Sequence, residues 1–321
     1  MKKLLLKPIQ FFIKNKNLFI FILCVALAVL NLNLKLNVTA TWFDGTLVRN
    51  HKLLLDYNYT NNEQSRLLQF YIPELFVKIF NLSIEHAYML QRLLFTMFTF
   101  FCFYLFSKKW LDTKLSLLCV LIMALLVMPN TYQNHLQESA ALLSLTFLGA
   151  LWAIRENKTF FYVFILTIGS INNETMLFIP AVYFLVNFKK FKISDIMRVA
   201  KRTILLALPA IISVGIIRYI NIDRPQLGGA WHFHENIYHL DSLLKVFNIF
   251  WILPFLYFKK RPLFLQRALI SIPLFIIPHL ITGIISETRQ MIPLSFILIP
   301  ASVLFLRDLY FKIFRIKTAE H

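Results

Sequence analysis

The chain has 321 residues, of which 58% are hydrophobic and 16% are charged, whereas an ordinary soluble domain carries about 25% charged residues. The apolar residues gather in stretches of roughly 13 to 20 residues between short charged clusters, which is the pattern of membrane-spanning helices. This composition excludes a soluble globular protein and predicts an all-α polytopic membrane protein. The three cysteines all fall in apolar stretches, which excludes a disulfide framework.

The net charge of +18 is compatible with nucleic-acid binding, but the positions of the basic residues argue against it. Of the 34 Lys and Arg, 24 fall in six clusters that alternate along the chain with acidic or neutral loops. By the positive-inside rule these clusters lie on the cytoplasmic side, together with both termini. The charge is therefore a signal of topology, with some attraction to anionic lipid, and we expect no nucleic-acid partner.

The whole chain, 1–321, is predicted to form a single transmembrane domain. The basic segment 1–16 has no small-residue cleavage site, so we expect an anchor and not a removed signal peptide. The segment 307–321 is expected to be a basic cytoplasmic tail. About ten transmembrane helices are predicted, within a range of eight to eleven; the candidate spans are 18–34, 88–107, 115–128, 139–154, 160–171, 176–188, 203–220, 243–258, 268–285 and 291–306.

Three segments are expected outside the cytoplasm. The largest is the first loop, 37–87, whose apolar run 67–80 is interrupted by polar residues and predicts an amphipathic helix lying on the outer leaflet. The others are 130–138 and 221–241. Eleven of the 16 acidic residues and seven of the eight histidines fall on this side or in the outer half of the predicted spans. Because ionisable residues near a membrane are usually kept for function, we expect an extracytoplasmic site.

Asp44 is the candidate catalytic residue. It follows the first predicted span in the segment Thr41-Trp42-Phe43-Asp44-Gly45. A carboxylate at this place suits a general base for an acceptor hydroxyl, or a ligand for a divalent cation beside a phosphate. Asp-Gly is also a strong turn signal, so a purely structural turn is the alternative.

Glu174 stands between two apolar runs of about 13 residues, which are too short to cross a hydrocarbon core of roughly 30 Å as straight helices. A hairpin around a water-filled cavity is one interpretation, and a tilted pair is another. A carboxylate costs roughly 2.5–3.5 kcal/mol at the centre of a membrane helix, so Glu174 needs a partner. Arg92, Arg218 and Arg289 are the candidates.

Glu287 and Arg289 precede the last predicted span. At a spacing of two residues they do not share a helix face, so we expect Arg289 to be free to bind a phosphate in bidentate fashion. His232, His234 and Glu235 offer metal ligands at short spacing, but a complete zinc set is missing. No phosphate-binding glycine loop is visible, so ATP use is unsupported.

The layout resembles the GT-C class of integral-membrane glycosyltransferases, of the bacterial type that depends on polyprenyl-phosphate sugars. The segment 172–180, Asn-Asn-Glu-Thr followed by apolar residues and Pro180, is similar to an Arg-Glu-Thr segment of bacterial members, with Asn in the Arg position. The segment 132–139 takes the place of a preceding polar loop, and Glu287-Thr288-Arg289 that of a late polar pair.

The resemblance implies transfer of a sugar from a polyprenyl-phosphate-linked donor to an acceptor on the outer face, in contact with membrane lipids. Asp44 matches the acid of the first loop. A divalent cation is a possible cofactor, and the sequence leaves it open. The predicted substrate-binding residues are Arg66, Arg92, His135, Glu138, Glu174, Glu287 and Arg289.

Several alternatives stay open on the sequence alone. A transporter or flippase of lipid-linked sugars would use the short segments around Glu174 as broken helices at a midplane site. A polysaccharide polymerase or ligase and a non-catalytic assembly subunit are the others. The abundance of Lys, Asn, Phe and Ile suggests an AT-rich genome and hence a bacterial plasma membrane.

Overall fold

The computed structural model describes residues 16–39, 41–59, 62–132, 138–188, 192–223 and 231–314. These ranges are helical and contain no β-strand. The α-helices are α1 (Lys16–Val38), α2 (Thr46–Leu55), α3 (Leu67–Phe80), α4 (Ile84–Ser107), α5 (Thr113–Ile122), α6 (Ser139–Arg155), α7 (Thr159–Asn172), α8 (Ile179–Asn187), α9 (Ile193–Ile220), α10 (Phe233–Tyr238), α11 (Leu240–Phe247), α12 (Leu263–Ile270), α13 (Ile272–Thr282) and α14 (Ser295–Ile313).

Six continuous helical stretches in these ranges are long and apolar enough to cross a membrane. A hydrocarbon core of about 30 Å needs roughly 20 residues at 1.5 Å each. By composition and helix length, the chain is therefore an integral membrane protein. The six stretches are Lys16–Val38, Ile84–Ser107, Thr113–Thr131, Ile193–Ile220, Leu263–Thr282 and Thr288–Ile313.

Three shorter apolar helices accompany them: Ser139–Arg155, Thr159–Asn172 and Glu174–Asn187. The last two were predicted to be short, and the structure explains the break between them. The Asn173 backbone is extended, with φ −159° and ψ 123°, and its side-chain Oδ1 accepts a hydrogen bond from the Thr175 amide at 3.0 Å. This cap starts a 3₁₀ turn, Glu174–Phe178, that leads into α8.

The prediction of a regular helix over 243–258 is wrong. Helix α11 ends at Phe247, and three 3₁₀ turns follow up to Lys260. Asn248 has a positive φ of 51°, which residues other than glycine rarely adopt. Pro254 has no amide hydrogen for a helical bond. These two residues prevent the long helix that the apolar composition suggested.

The core lies around α6 and the last long stretch, Thr288–Ile313. In that stretch 78% of the most apolar window is buried inside the protein, so it is surrounded by other helices. α6 contacts α4, α7 and α8. A second, smaller core joins α2 and α3 to the start of α4; it consists of Trp42, Leu47, Leu54, Phe70 and Tyr88.

α3 (Leu67–Phe80) has the bounds predicted for the amphipathic helix. It buries Gln69 and Phe70 against the bundle, where it contacts α4 and α7. Helix α2 was not predicted within the first loop.

Contacts between helix ends fall into two groups at opposite ends of the bundle. Arg92 meets Glu138 at 3.0 Å at one end, while Arg261 meets Asp308 at 3.1 Å and Lys109 meets Glu156 at 3.1 Å at the other. We call these the Glu138 end and the Asp308 end. The sequence predicts that the Glu138 end lies outside the cytoplasm and the Asp308 end inside it.

We expect Gly169→Ala to destabilise the contact between α7 and α6. A Cβ at Gly169 would lie 2.8 Å from Met176 Cε and 3.0 Å from Thr146 Cβ, and overpacking of this kind costs about 1–3 kcal/mol. At Gly215 nothing lies within 4 Å of the added Cβ, so Gly215→Ala is a matched control expected to be neutral or stabilising. Thermal unfolding in detergent measures both variants, and equal melting temperatures would contradict the packing described.

Candidate functional site

A cavity of about 300 Å³ opens between helices at the Glu138 end. Its wall includes Arg66, Glu174, His279, Arg289 and Gln290, and the rest is a mixture of polar and apolar residues. A smaller recess of about 10 Å³ shares Arg66 and Glu174 with it and reaches Arg218. Among the predicted site residues, the structure thus brings Arg66, Glu174 and Arg289 to one cavity.

Gly283 is needed in the wall of this cavity. A Cβ added there would lie 2.8 Å from Gln290 Oε1 and 2.9 Å from the His279 carbonyl oxygen. The second contact is with backbone, which cannot move aside as a side-chain end can. The close approach of the two chain segments therefore depends on the missing side chain.

Glu63, in the 3₁₀ turn Asn62–Ser65, anchors the two cavity arginines. It forms an ion pair with Arg66, accepts a hydrogen bond from Gln69 Nε2 at 2.9 Å, and lies 3.7 Å from Arg289 Nη1. Burial alone would raise the pKa of Glu63, but the charges of Arg66 and Arg289 outweigh it, so that the pKa lies below its usual value. One carboxylate therefore serves two guanidinium groups.

Arg289 is buried, with 7% of its surface exposed. Its Nη2 donates to Glu287 Oε2 at 2.9 Å, so the expectation that Glu287 would leave it free is wrong. The expectation assumed that both residues lie in a helix, where residues two apart point in different directions. Glu287 instead lies just before the 3₁₀ helix and has a non-helical ψ of 73°. The Nε atom of Arg289 has no hydrogen-bond partner within the described ranges.

Glu174 pairs with Arg218, one of its three predicted partners. Arg218 Nε donates to Glu174 Oε2 at 3.1 Å, and Nη2 donates to the same oxygen. The Glu174 side chain stays 44% exposed, and Glu174 lines the cavity. The break before the 3₁₀ turn positions it there.

Arg92 and Glu138 lie in a separate buried network. Glu138 Oε1 contacts Arg92 Nη1 at 3.0 Å and Lys35 Nζ at 2.8 Å, and all three side chains are almost fully buried. Arg92 also donates to Asn31 Oδ1 at 3.1 Å and to the Thr131 hydroxyl at 2.5 Å. Neither Arg92 nor Glu138 lines the cavity; they join α1, α4 and the start of α6.

Asp44 lies on an exposed turn before α2. Its Oδ1 accepts a hydrogen bond from the Thr46 amide at 2.9 Å, the geometry of the structural turn that the sequence also allowed. It does not belong to the cavity wall, and its predicted catalytic role stays a prediction.

The metal candidates are not among the residues that line the cavity. His232 Nδ1 is 3.0 Å from Glu235 Oε2, and His234 packs against Tyr238. No group of three or more His, Cys, Asp or Glu in the described part of the chain is placed to hold a metal ion. His135 lies outside the described residues.

Three relevant residues were not predicted as site residues: Lys35, Glu63 and His279. Lys35 and His279 interrupt apolar helices, and this signal alone marks them as unusual, because ionisable groups in such segments are costly. Glu63 has no comparable signal, since its importance comes from Arg66 and Arg289, and Arg289 is distant in sequence.

The chain matches no family model, no curated protein and no solved structure. Its function is therefore inferred from the chemistry of the site.

We expect Glu138→Gln to destabilise the protein by about 3–5 kcal/mol, because it leaves Lys35 and Arg92 buried without a counter-charge. Lys35→Met should cost much less, since Arg92 and Glu138 stay paired one to one. Thermal unfolding at neutral pH compares these two variants. A loss in Lys35→Met as large as that in Glu138→Gln would show that the carboxylate does not balance both cations.

The contribution of Glu63 to stability should depend on pH. Because its pKa is lowered on folding, the stabilisation is complete above the ordinary value of 4.5 and is lost as the pH falls through the lower folded-state value. The melting-temperature difference between wild type and Glu63→Gln should thus be largest near neutral pH and shrink in acid. The same substitution at the exposed Glu235 is the control and should have little effect at any pH. A difference that grows in acid would contradict the pairing.

Proposed function

We propose that this chain is a membrane glycosyltransferase of GT-C type. It would transfer a sugar from a polyprenyl-phosphate-linked donor to an acceptor at the extracytoplasmic face. The observation that carries the proposal is the cavity in which Arg66 and Arg289 lie beside Glu174. The positive-inside rule places the Glu138 end, and this cavity with it, outside the cytoplasm.

The two arginines, Arg66 and Arg289, are suited to binding the phosphate of the donor. Guanidinium groups bind phosphate oxygens through paired, charge-assisted hydrogen bonds. Arg66 and Arg289 both line the cavity, so a donor phosphate in the cavity would lie beside both residues. An anionic donor headgroup would accept hydrogen bonds from these guanidinium groups.

Glu174 is suited to binding the sugar of the donor. Its carboxylate is fixed by Arg218 on one side and open on the other, so it can accept hydrogen bonds from sugar hydroxyls. The volume of about 300 Å³ falls at the lower end of small-molecule sites, roughly 300–1,000 Å³. The apolar part of the wall would face the first units of the lipid chain.

Catalysis would consist of attack by an acceptor hydroxyl on the anomeric carbon while the lipid phosphate leaves. Charge develops on the departing phosphate oxygen, and Arg66 and Arg289 would stabilise it. A base is needed for the hydroxyl proton. The resemblance assigns that role to Asp44, which lies outside the cavity wall in this conformation. No step here requires a divalent cation.

The proposed topology has both termini in the cytoplasm and ten crossings. Nine are the six long and three shorter apolar helices. The tenth is the irregular segment from α11 to Arg261, which connects the outer helix α10 to the ion pair of Arg261 with Asp308.

A transporter or flippase of lipid-linked sugar is the second candidate. The observation that favours it is the interruption at Asn173 and Glu174 between two short helices, because secondary transporters bind substrates at such breaks. A glycosyltransferase forms a covalent bond between the sugar and the acceptor. A transporter moves the lipid-linked sugar across the bilayer without forming that bond.

The test is sugar transfer from radiolabelled polyprenyl-phosphate monosaccharides in membranes that contain the protein. We expect Arg289→Gln to lower transfer by about 100-fold or more, as loss of a donor to a developing anion does, and Glu174→Gln to lower it as well. Arg49→Gln, at an exposed arginine of α2, is the matched control and should retain transfer.

Equal transfer by Arg289→Gln and Arg49→Gln at equal protein levels would contradict the phosphate role of the cavity. Movement of the lipid-linked sugar across the bilayer without a covalent product would favour the transporter instead.

A further inference from the structure

His279 lies one turn before the end of α13, in the wall of the cavity. It is buried, with 6% of its surface exposed. Its ring packs against Phe275, with centroids 4.5 Å apart, and against Phe178, with centroids 4.9 Å apart. These two contacts hold the imidazole in one orientation.

The position of the imidazole proton follows from one hydrogen bond. His279 Nδ1 is 2.8 Å from the carbonyl oxygen of Phe275. A carbonyl oxygen only accepts hydrogen bonds, so Nδ1 must carry the hydrogen. In the neutral ring the lone pair is then on Nε2. Nε2 has no hydrogen-bond partner among the residues that the structure describes.

His279 therefore carries an oriented proton acceptor, and the residue lines the cavity that holds the two arginines. Its tautomer is set by a backbone group, an arrangement that elsewhere orients catalytic histidines. Asp44, by contrast, does not line the cavity. The charged groups near His279 come from several elements: Glu174 in the 3₁₀ turn, Arg66 before α3, Arg289 before α14, and His232, whose backbone amide donates to the Ile281 carbonyl at 2.8 Å.

We propose that His279 is the general base of the reaction, an inference that rests on the proposed function. The acceptor oxygen forms a bond to the anomeric carbon, and its proton passes to Nε2 of His279. The bond from that carbon to the phosphate oxygen breaks, and its electron pair leaves with the polyprenyl phosphate. The resulting imidazolium, still bonded to the Phe275 carbonyl through Nδ1, then releases the proton to water.

The experiment measures kcat, KM and their pH dependence in His279→Phe and His279→Gln. Phenylalanine preserves the ring packing and removes the proton acceptor; glutamine keeps a hydrogen-bond acceptor that does not take up a proton. His86→Phe is the matched control, because His86 is exposed and its ring contact with Phe43 can be retained.

We expect both variants at position 279 to lose about 10²- to 10⁴-fold in kcat, the usual contribution of a general base. Binding of polyprenyl phosphate, measured separately, should change little. The wild-type kcat should fall in acid as one group protonates, whereas the residual rate of the variants should lose this dependence. His86→Phe should behave like wild type.

Two failures are distinguishable. If the wild type transfers sugar and His279→Phe retains its rate or its acid limb, the base is another residue and this inference is overturned while the proposed function stands. If the wild type transfers no sugar from any polyprenyl-phosphate donor, the proposed function is overturned and the base role with it. A loss of polyprenyl-phosphate binding that accounts for the whole rate effect would make His279 a binding residue and also overturn the inference.

Discussion

The cost of placing charge among apolar helices determines how this protein is organised. Glu138 is fully buried and so are the two cations that it contacts, Lys35 and Arg92. An isolated charge in such surroundings is prohibitive, so the three side chains have to be brought together. They come from α1, α4 and the start of α6. Their contacts hold these three helices together at the end of the bundle where the cavity opens.

The charged residues at the cavity are also held in ion pairs. Glu63 neutralises Arg66 closely, but lies 3.7 Å from Arg289. Arg289 takes Glu287 as a second partner and keeps one nitrogen without any. In the buried network the polar groups are used to hold helices. There too one guanidinium nitrogen, Arg92 Nε, has no hydrogen-bond partner within the described ranges.

The sequence predicts the helices better than the site, and particular residues show why. The predicted spans 88–107 and 203–220 follow from apolar composition, which acts locally, and they lie within the observed helices Ile84–Ser107 and Ile193–Ile220. The segment 243–258 has the same composition, but Asn248 and Pro254 outweigh it, and both could have been weighed from the sequence. The pairing of Glu63 with Arg289 joins residues far apart in the chain, so no local pattern predicts it. His279 looks like an isolated polar residue until Phe275 and Phe178 are placed around it.

The irregular segment after α11 has a consequence for how the protein is made. Its 3₁₀ turns leave backbone groups that no helix of their own satisfies, and a bilayer offers no water to replace those partners. The turns from Asn248 to Phe255 contact α14, which follows them in the chain and therefore leaves the ribosome after them. This part of the chain therefore reaches its final conformation only after synthesis of α14, and the bundle cannot be completed one hairpin at a time.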